Sequence, residues 1–364
     1  MREPFKTPHE QGFCDATVEP PFFFKAMDSI TQAALGAAVA EAGMGRRLGN
    51  KAIVWGAALG TLPDLDIIAY PWLDHLQRLE WHRGASHSLP IMLLAAPLIG
   101  WMISKIHAGK ISTLAAAWTV FWILATHTLI DVFTVYGTMV FAPFSNHRAG
   151  FNNLFIIDPL FTAPLLLGLL IAIFYTPTAR LRRIANNAGI VLASLYVLWS
   201  FTAKEMAGSA FEKALADSEI AAERSMTAPT AFNTLLWRCL AETDDGYHVA
   251  YHSLLRPGKQ ITFDFIPKNK AALAEIRDTL ALERLLWFSN GYLTVQPDAS
   301  GWLASDWRFG ERRHASGPLS SENAPTAVFS WRIRMEDGAL AISPERPRWN
   351  YGEYLRQIWE RLYY

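Results

Sequence analysis

The chain has 364 residues, enough for two domains, and its 33 basic and 33 acidic residues cancel. That balance points neither to a nucleic-acid binder nor to a protein with an acidic tail. Two cysteines far apart, Cys14 and Cys239, exclude a disulfide framework and a zinc ribbon and read as unpaired thiols.

Residues 1–26 carry mixed charge and Pro20-Pro21 without an apolar stretch of useful length. They read as an N-terminal extension rather than a signal peptide, with Met27 a candidate start. From about residue 30 to 203 the chain is mostly apolar; beyond, it is charged. Asp28 or Ser29 suits the N-cap of a small-residue helix containing Gly36, a pattern for close helix packing. Six apolar segments stand out, at 29–43, 52–69, 88–106, 112–136, 156–175 and 188–203. A full span needs about 20 apolar residues. The fourth and fifth reach that, and the third nearly does. The first is short and carries Glu41, which reads as interfacial or half-inserted. Pro63 places a helix end or kink in the second.

Loop charge predicts the orientation. The connections at 44–51, 104–111 and 176–187 hold Arg46, Arg47, Lys51, Lys105, Lys110, Arg180, Arg182 and Arg183; the alternate ones hold only Arg78, Arg83 and Arg148. The first set is therefore expected in the cytoplasm. Residues 204–364 read as an α+β domain, mostly antiparallel. A helix is expected at 205–225, with Pro229 as an interruption. Strands are expected at 235–240, 248–254 and 261–266, a helix at 270–284, and strands near 285–296, 302–309 and 327–335. Trp331, Trp349 and Trp359 either pack a core or lie at a membrane interface. The expected architecture is an α-helical polytopic membrane domain (27–203) followed by an extracytoplasmic α+β domain (204–364), in the inner (plasma) membrane.

Acids and histidines gather where the apolar segments end. Asp64 and Asp66 follow Pro63; they read as oxygen ligands, one of them a general base, or as a polar helix terminus in water. His82 and His87 flank Arg83 and Gly84, two imidazole ligands with an Arg to hold an anionic oxygen, or an ordinary juxtamembrane loop. His127 and Asp131 lie four apart in a long apolar segment, on one helix face, as a metal pair or a coupled His–Asp pair. Asp158 before Pro159 reads equally well as a helix cap and as a ligand. His75 and His147 are weaker candidates on the same face, and His107 falls on the opposite one. By the predicted orientation all these groups except His107 meet on the outer face.

At these residues the chain resembles the YdjM-like family of inner-membrane proteins, described as membrane-bound metal-dependent hydrolases. The stretches that carry the likeness are Met27–Gly36, Gly60–Asp66, His82–Leu89, His127–Thr134 with Tyr136-Gly137-Thr138, and Pro143–Pro159. That family is similar in pattern to zinc-dependent phospholipase C and P1-type nucleases. The resemblance implies Asp64, Asp66, His82, His87, His127 and Asp131 as metal ligands. Many relatives carry a His near the start of the first helix where this chain has Thr31-Gln32, which makes Gln32 a weak candidate and leaves the number of metals open.

The resulting expectation is a metal-dependent hydrolase. A divalent ion, zinc or else manganese, would activate a water against a phosphoester, either a small molecule or one linked to membrane lipid. Asp64, Asp66 and Arg83 are the expected catalytic groups. The alternative is a non-enzymatic membrane protein that binds a metal or lipid head group and recruits a partner. A transporter with a His127–Asp131 proton relay is a third reading, disfavoured because no paired broken helices mark two corresponding halves.

Overall fold

The computed structural model describes residues 22–276, 279–312, 325–336, 339–345 and 351–364. The extension as far as residue 21, with Cys14, and Trp349 lie outside the described residues. The N-terminal region is a helical bundle. Helix α1 (Phe22–Leu48) starts upstream of Asp28 and Ser29, which therefore sit inside it rather than at its cap. Gly49 adopts φ 60°, a left-handed conformation natural to glycine, and turns the chain into α2 (Asn50–Gly60). Pro63 opens a 3₁₀ helix (Pro63–Trp72) bent by 42° from α2, as its position in the second apolar segment suggested. Short α3 (His75–Trp81) and a single 3₁₀ turn (Ala85–His87) lead to α4 (Leu89–Ile106), which Ser88 caps. Then follow α5 (Thr113–Val132), α6 (Pro159–Ile173) and α7 (Arg180–Asp217).

Among the described residues α4, α5 and α7 are long and apolar enough to cross a membrane; α2 with its bent continuation makes a fourth if taken as one span. That is fewer than the six segments expected. α6 has 15 residues and is short. α1 owes its low apolarity to its place: it packs against α2, α5, α6 and α7, and small residues such as Ala34, Ala37, Ala38 and Ala40 fill its buried faces. Its Glu41 is buried and takes two hydrogen bonds of 2.6 Å from Arg182, whose third nitrogen reaches Asn50 Oδ1. Exposed leucines on α4, α6 and α7 form the outer surface, as lipid-facing positions do.

The sixth apolar segment and the helix expected at 205–225 are one continuous helix. The 203/204 boundary thus falls inside α7, which runs 38 residues from the bundle into the C-terminal region. That region holds two antiparallel four-stranded sheets. The first has β1 (Arg224–Pro229), β2 (Leu236–Glu242), β3 (Gly246–Ser253) and β4 (Asp264–Pro267) in sequence order. Helices α8 (Lys270–Glu275) and α9 (Leu280–Phe288) lead to β5 (Leu293–Asp298), β6 (Gly301–Arg312), β7 (Thr326–Glu336) and β8 (Ala339–Glu345), again in order, and α10 (Tyr351–Tyr363) ends the fold. The strand expected from 285 begins only at Leu293, because α9 occupies residues to Phe288.

Every residue of β2 is buried, since both faces of its sheet are covered. Ala203, Ala207, Phe211 and Leu215 of α7 pack on Trp237, Cys239 and Ala241. Leu240 and Val249 point the other way, toward Trp307 and Ala327 of the second sheet. Burial pushes the Cys239 thiol up to about 12, which keeps it protonated and inert. Asp306 and Arg308 of β6 form a buried ion pair, 2.7 Å.

Candidate metal centre

Small residues set the position of the first wall. A Cβ at Gly36 would lie 2.4 Å from the Gly56 carbonyl oxygen and 2.7 Å from Gly60 Cα, so α1 and α2 touch backbone to backbone. α2 ends at Gly60, and its carbonyl accepts a 2.6 Å hydrogen bond from His127 Nδ1. A carbonyl only accepts, so His127 carries its proton on Nδ1 and, when neutral, presents a lone pair on Nε2. His87 is held similarly: Ser86 Oγ donates to Asp66 (3.1 Å) and so is left to accept from His87 Nδ1 at 2.8 Å.

Both Nε2 atoms point to one place and are 3.0 Å apart. Two carboxylates complete the ring. Asp64 Oδ1 lies 3.3 Å from His87 Nε2 and 3.6 Å from His127 Nε2; Asp131 Oδ2 lies 3.1 and 3.7 Å from the same atoms. The four donor atoms fall within 4.8 Å of one another. His87, His127 and Asp131 are fully enclosed, while Asp64 is 19% exposed and forms the open side.

The remaining oxygen of Asp131 is spoken for. Its Oδ1 accepts from Gln32 Nε2 (2.9 Å) and pairs with Arg83 Nη2 (3.1 Å), while Oδ2 has no hydrogen bond of proper geometry. A buried anionic oxygen without a hydrogen bond, facing two imidazole lone pairs, is costly unless a cation joins them. The donor set, two imidazole nitrogens and two carboxylate oxygens, suits a divalent metal such as zinc.

Four of the six expected ligands therefore converge. Asp66 and His82 stand beside them: His82 Nδ1 is 3.0 Å from Asp66 Oδ1, and Asp66 also accepts from the Arg83 backbone and from Ser86. Asp66 thus anchors the turn that carries His87. His82, its side chain 22% exposed, borders the site at 6.2 Å between ring centres from His87. Arg83 was expected to meet an anionic oxygen of substrate. It is instead buried against the protein's own Asp131, with a second hydrogen bond to Thr134 Oγ1 (2.8 Å) and its guanidinium over Tyr136. Gln32 touches the centre through Asp131, donating a hydrogen bond from its amide nitrogen rather than offering its oxygen. Asp158 caps α6, accepting from Leu160 N, and takes a 2.8 Å hydrogen bond from Tyr196, so its capping reading is the one the geometry shows. His107, at the far end of α4, accepts from Trp55.

Sequence reasoning passed over Ser86 and Tyr136 as site residues. Tyr136 fills the space between Arg83, Arg148, His82 and Phe288 of α9. Arg148 donates to the carbonyls of Leu79, His82 and Gly137 and lies over Trp287 and Phe288, tying the loops of the site to the C-terminal region. Burial holds the Arg148 guanidinium down to about 10. The signal for Tyr136 was its place within Tyr136-Gly137-Thr138, one of the stretches that carry the family likeness.

A bundle of apolar helices that gathers two imidazoles and two carboxylates at one end defines a membrane protein with a possible metal-binding centre. Residues 27–207, which hold the whole cluster, match the YdjM inner membrane protein family. No curated protein and no solved structure matches the chain.

Proposed function

We propose that the protein is a multi-pass membrane hydrolase that holds a divalent metal, zinc in the first instance, with Asp64, His87, His127 and Asp131. The observation that carries this reading is the convergence of four donor atoms on one point, with both imidazole tautomers set by outer hydrogen bonds and Asp131 Oδ2 left without a hydrogen bond. A divalent cation held there would acidify a water and act as an electrophile toward a phosphoryl oxygen.

The chain's own residues do the rest. Gly60 and Ser86 fix which nitrogen of each histidine faces inward. Gln32 and Arg83 draw Asp131 Oδ1 away from the centre and leave Oδ2 to it. Asp64 is the one member of the cluster open to solvent, and its second oxygen is the acceptor we assign to the proton of an incoming water. Asp66, with three hydrogen-bond donors around it, is a holder rather than a base.

The substrate class is read from location. Trp72, Trp81, Phe141 and Phe144 are exposed on the connections at the same end of the bundle as the cluster, where interfacial aromatics mark the lipid–water boundary. A phosphoester carried by a membrane lipid would meet the centre at that level. The basic connections lie at the opposite end, so the centre and the C-terminal region are assigned to the extracytoplasmic side.

The test is metal content by plasma mass spectrometry on detergent-purified protein, beside a His127→Ala, Asp131→Ala double variant. One equivalent of zinc or manganese in the parent and none in the variant supports the centre. A parent that is folded and metal-free, prepared without chelator, overturns it. Metal without chelator-sensitive turnover of any phosphodiester would retain the centre and favour the binding reading over hydrolysis.

A further inference from the structure

The C-terminal helix α10 is fastened to the fold along one seam and bare beside it. Ile358 and Leu362 are buried in a cluster with Phe155, Phe232 and Leu235. Its last turn is tied to the end of β3 and the residues after it: Ser253 Oγ donates to the Leu362 carbonyl, Arg256 to that of Tyr363, and Lys259 to Tyr364. The helix therefore has a set orientation. Alongside that buried seam Leu355, Trp359 and Tyr363 recur every four residues, 46%, 59% and 40% exposed, and form one apolar ridge. Trp359 and Tyr363 stack with ring centres 4.3 Å apart. Arg356 and Glu360 flank the ridge; with Glu353 and Arg361 the helix carries two charges of each sign, and Arg356 is paired with both glutamates.

The height of α10 relative to the bundle follows from hydrogen bonds. Thr234, in the loop against which α10 packs, bonds to Tyr196 (3.0 Å) and Trp199 (3.1 Å) on the apolar part of α7. The same Tyr196 hydroxyl donates to Asp158, the cap at the entry of α6. Phe155, three residues before that cap, meets Phe232 of the loop edge to face and shares a cluster with Ile358 and Leu362. The loop under α10 is thus level with the point where the lipid-exposed helix α6 begins. A tryptophan–tyrosine ridge with an aliphatic neighbour is what the head-group boundary of a bilayer selects.

We infer that the Leu355–Trp359–Tyr363 ridge of α10 lies in the lipid–water interface of the membrane the bundle spans, as a second anchor for the C-terminal region. The occupant of this face is the bilayer itself, and the inference does not depend on the metal reading.

The experiment uses the full chain with Cys14 replaced by Ser, since Cys239 is buried. A nitroxide is placed singly at Trp359→Cys, at Leu355→Cys one turn earlier, and at Asp244→Cys, an exposed turn position. In nanodiscs of phosphatidylcholine with phosphatidylglycerol, collisional accessibility to oxygen and to a water-soluble nickel chelate is read by electron paramagnetic resonance. The oxygen-to-nickel ratio is expected to be several-fold higher at 359 and 355 than at 244. A ratio at both ridge positions equal to that at 244 overturns the inference by placing the ridge in water. Protection from both reagents also overturns it, because another protein surface would then cover the ridge. The Leu355 site keeps the test decisive if the Trp359 variant fails to fold.

Discussion

Asp131 divides its two oxygens between protein and centre: Oδ1 goes to Gln32 and Arg83, and Oδ2 faces the imidazoles. Replacing Gln32 by Leu removes one of the two holders and leaves the Arg83 pair. Outer hydrogen bonds of this kind contribute about 10- to 100-fold to metal affinity. Gln32→Leu is therefore expected to weaken metal binding by that factor, measured by chelator competition, with little change in thermal unfolding. Unchanged competition would show that Arg83 alone suffices. The spacing of site residues was legible in the sequence, but their direction was not. Asp64 and Asp66 sit on a 3₁₀ helix with about three residues per turn, so positions two apart face different ways: Asp64 meets the Nε2 atoms of His87 and His127, and Asp66 turns to His82. His82 and His87 are separated by Arg83 in a left-handed conformation, φ 56°, which no five-residue spacing announces. His127 and Asp131, on a regular helix, were legible because the helix period alone sets their common face.

At the level of elements, two contacts hold the bundle at its two ends. Near the centre, Gly36, Gly56 and Gly60 let α1 and α2 meet, and Gly60 then carries the carbonyl that orients His127. Gly36→Leu drives a side chain into backbone, which cannot shift as a side chain would. A loss of about 3 kcal/mol is expected, together with loss of bound metal; thermal unfolding and metal content check both. At the far end, Glu41 and Arg182 are a buried bidentate pair. Glu41→Ala strands a buried guanidinium and is expected to cost about 3–5 kcal/mol, while an apolar pair, Glu41→Leu with Arg182→Leu, should recover most of it. A double variant as unstable as the single one would show that the charge does more than satisfy its partner. Element boundaries were readable where apolarity and helix period agree, as in α4 and α5. They were misread where the two part. In α7 the composition changes at Lys204, yet Ala203, Ala207, Phe211 and Leu215 keep a four-residue spacing because the helix only exchanges lipid for sheet as its neighbour. β1 was missed because of Pro229, which is tolerated as the last residue of an edge strand.

On the scale of the whole molecule, the cluster, the aromatic connections and the C-terminal sheets lie at one end of the bundle, and Arg46, Arg47, Lys51, Lys105 and Lys110 at the other. The two parts are locked together there: Arg284 pairs with Glu80 at 3.0 Å, and Tyr136 and Leu79 join the core under α9. Orientation in the membrane therefore decides cluster and sheets at once. Basic residues resist translocation, so the Lys105–Lys110 connection is predicted to face the cytoplasm. The check is a membrane-impermeant maleimide on spheroplasts carrying Lys110→Cys or Asp244→Cys in the Cys14→Ser chain. Label is expected at 244 in intact spheroplasts and at 110 only after permeabilisation. The reverse pattern would turn the centre toward the cytoplasm, where its metal supply and its phosphoester would have to come from the other leaflet, while leaving the four-residue cluster itself untouched.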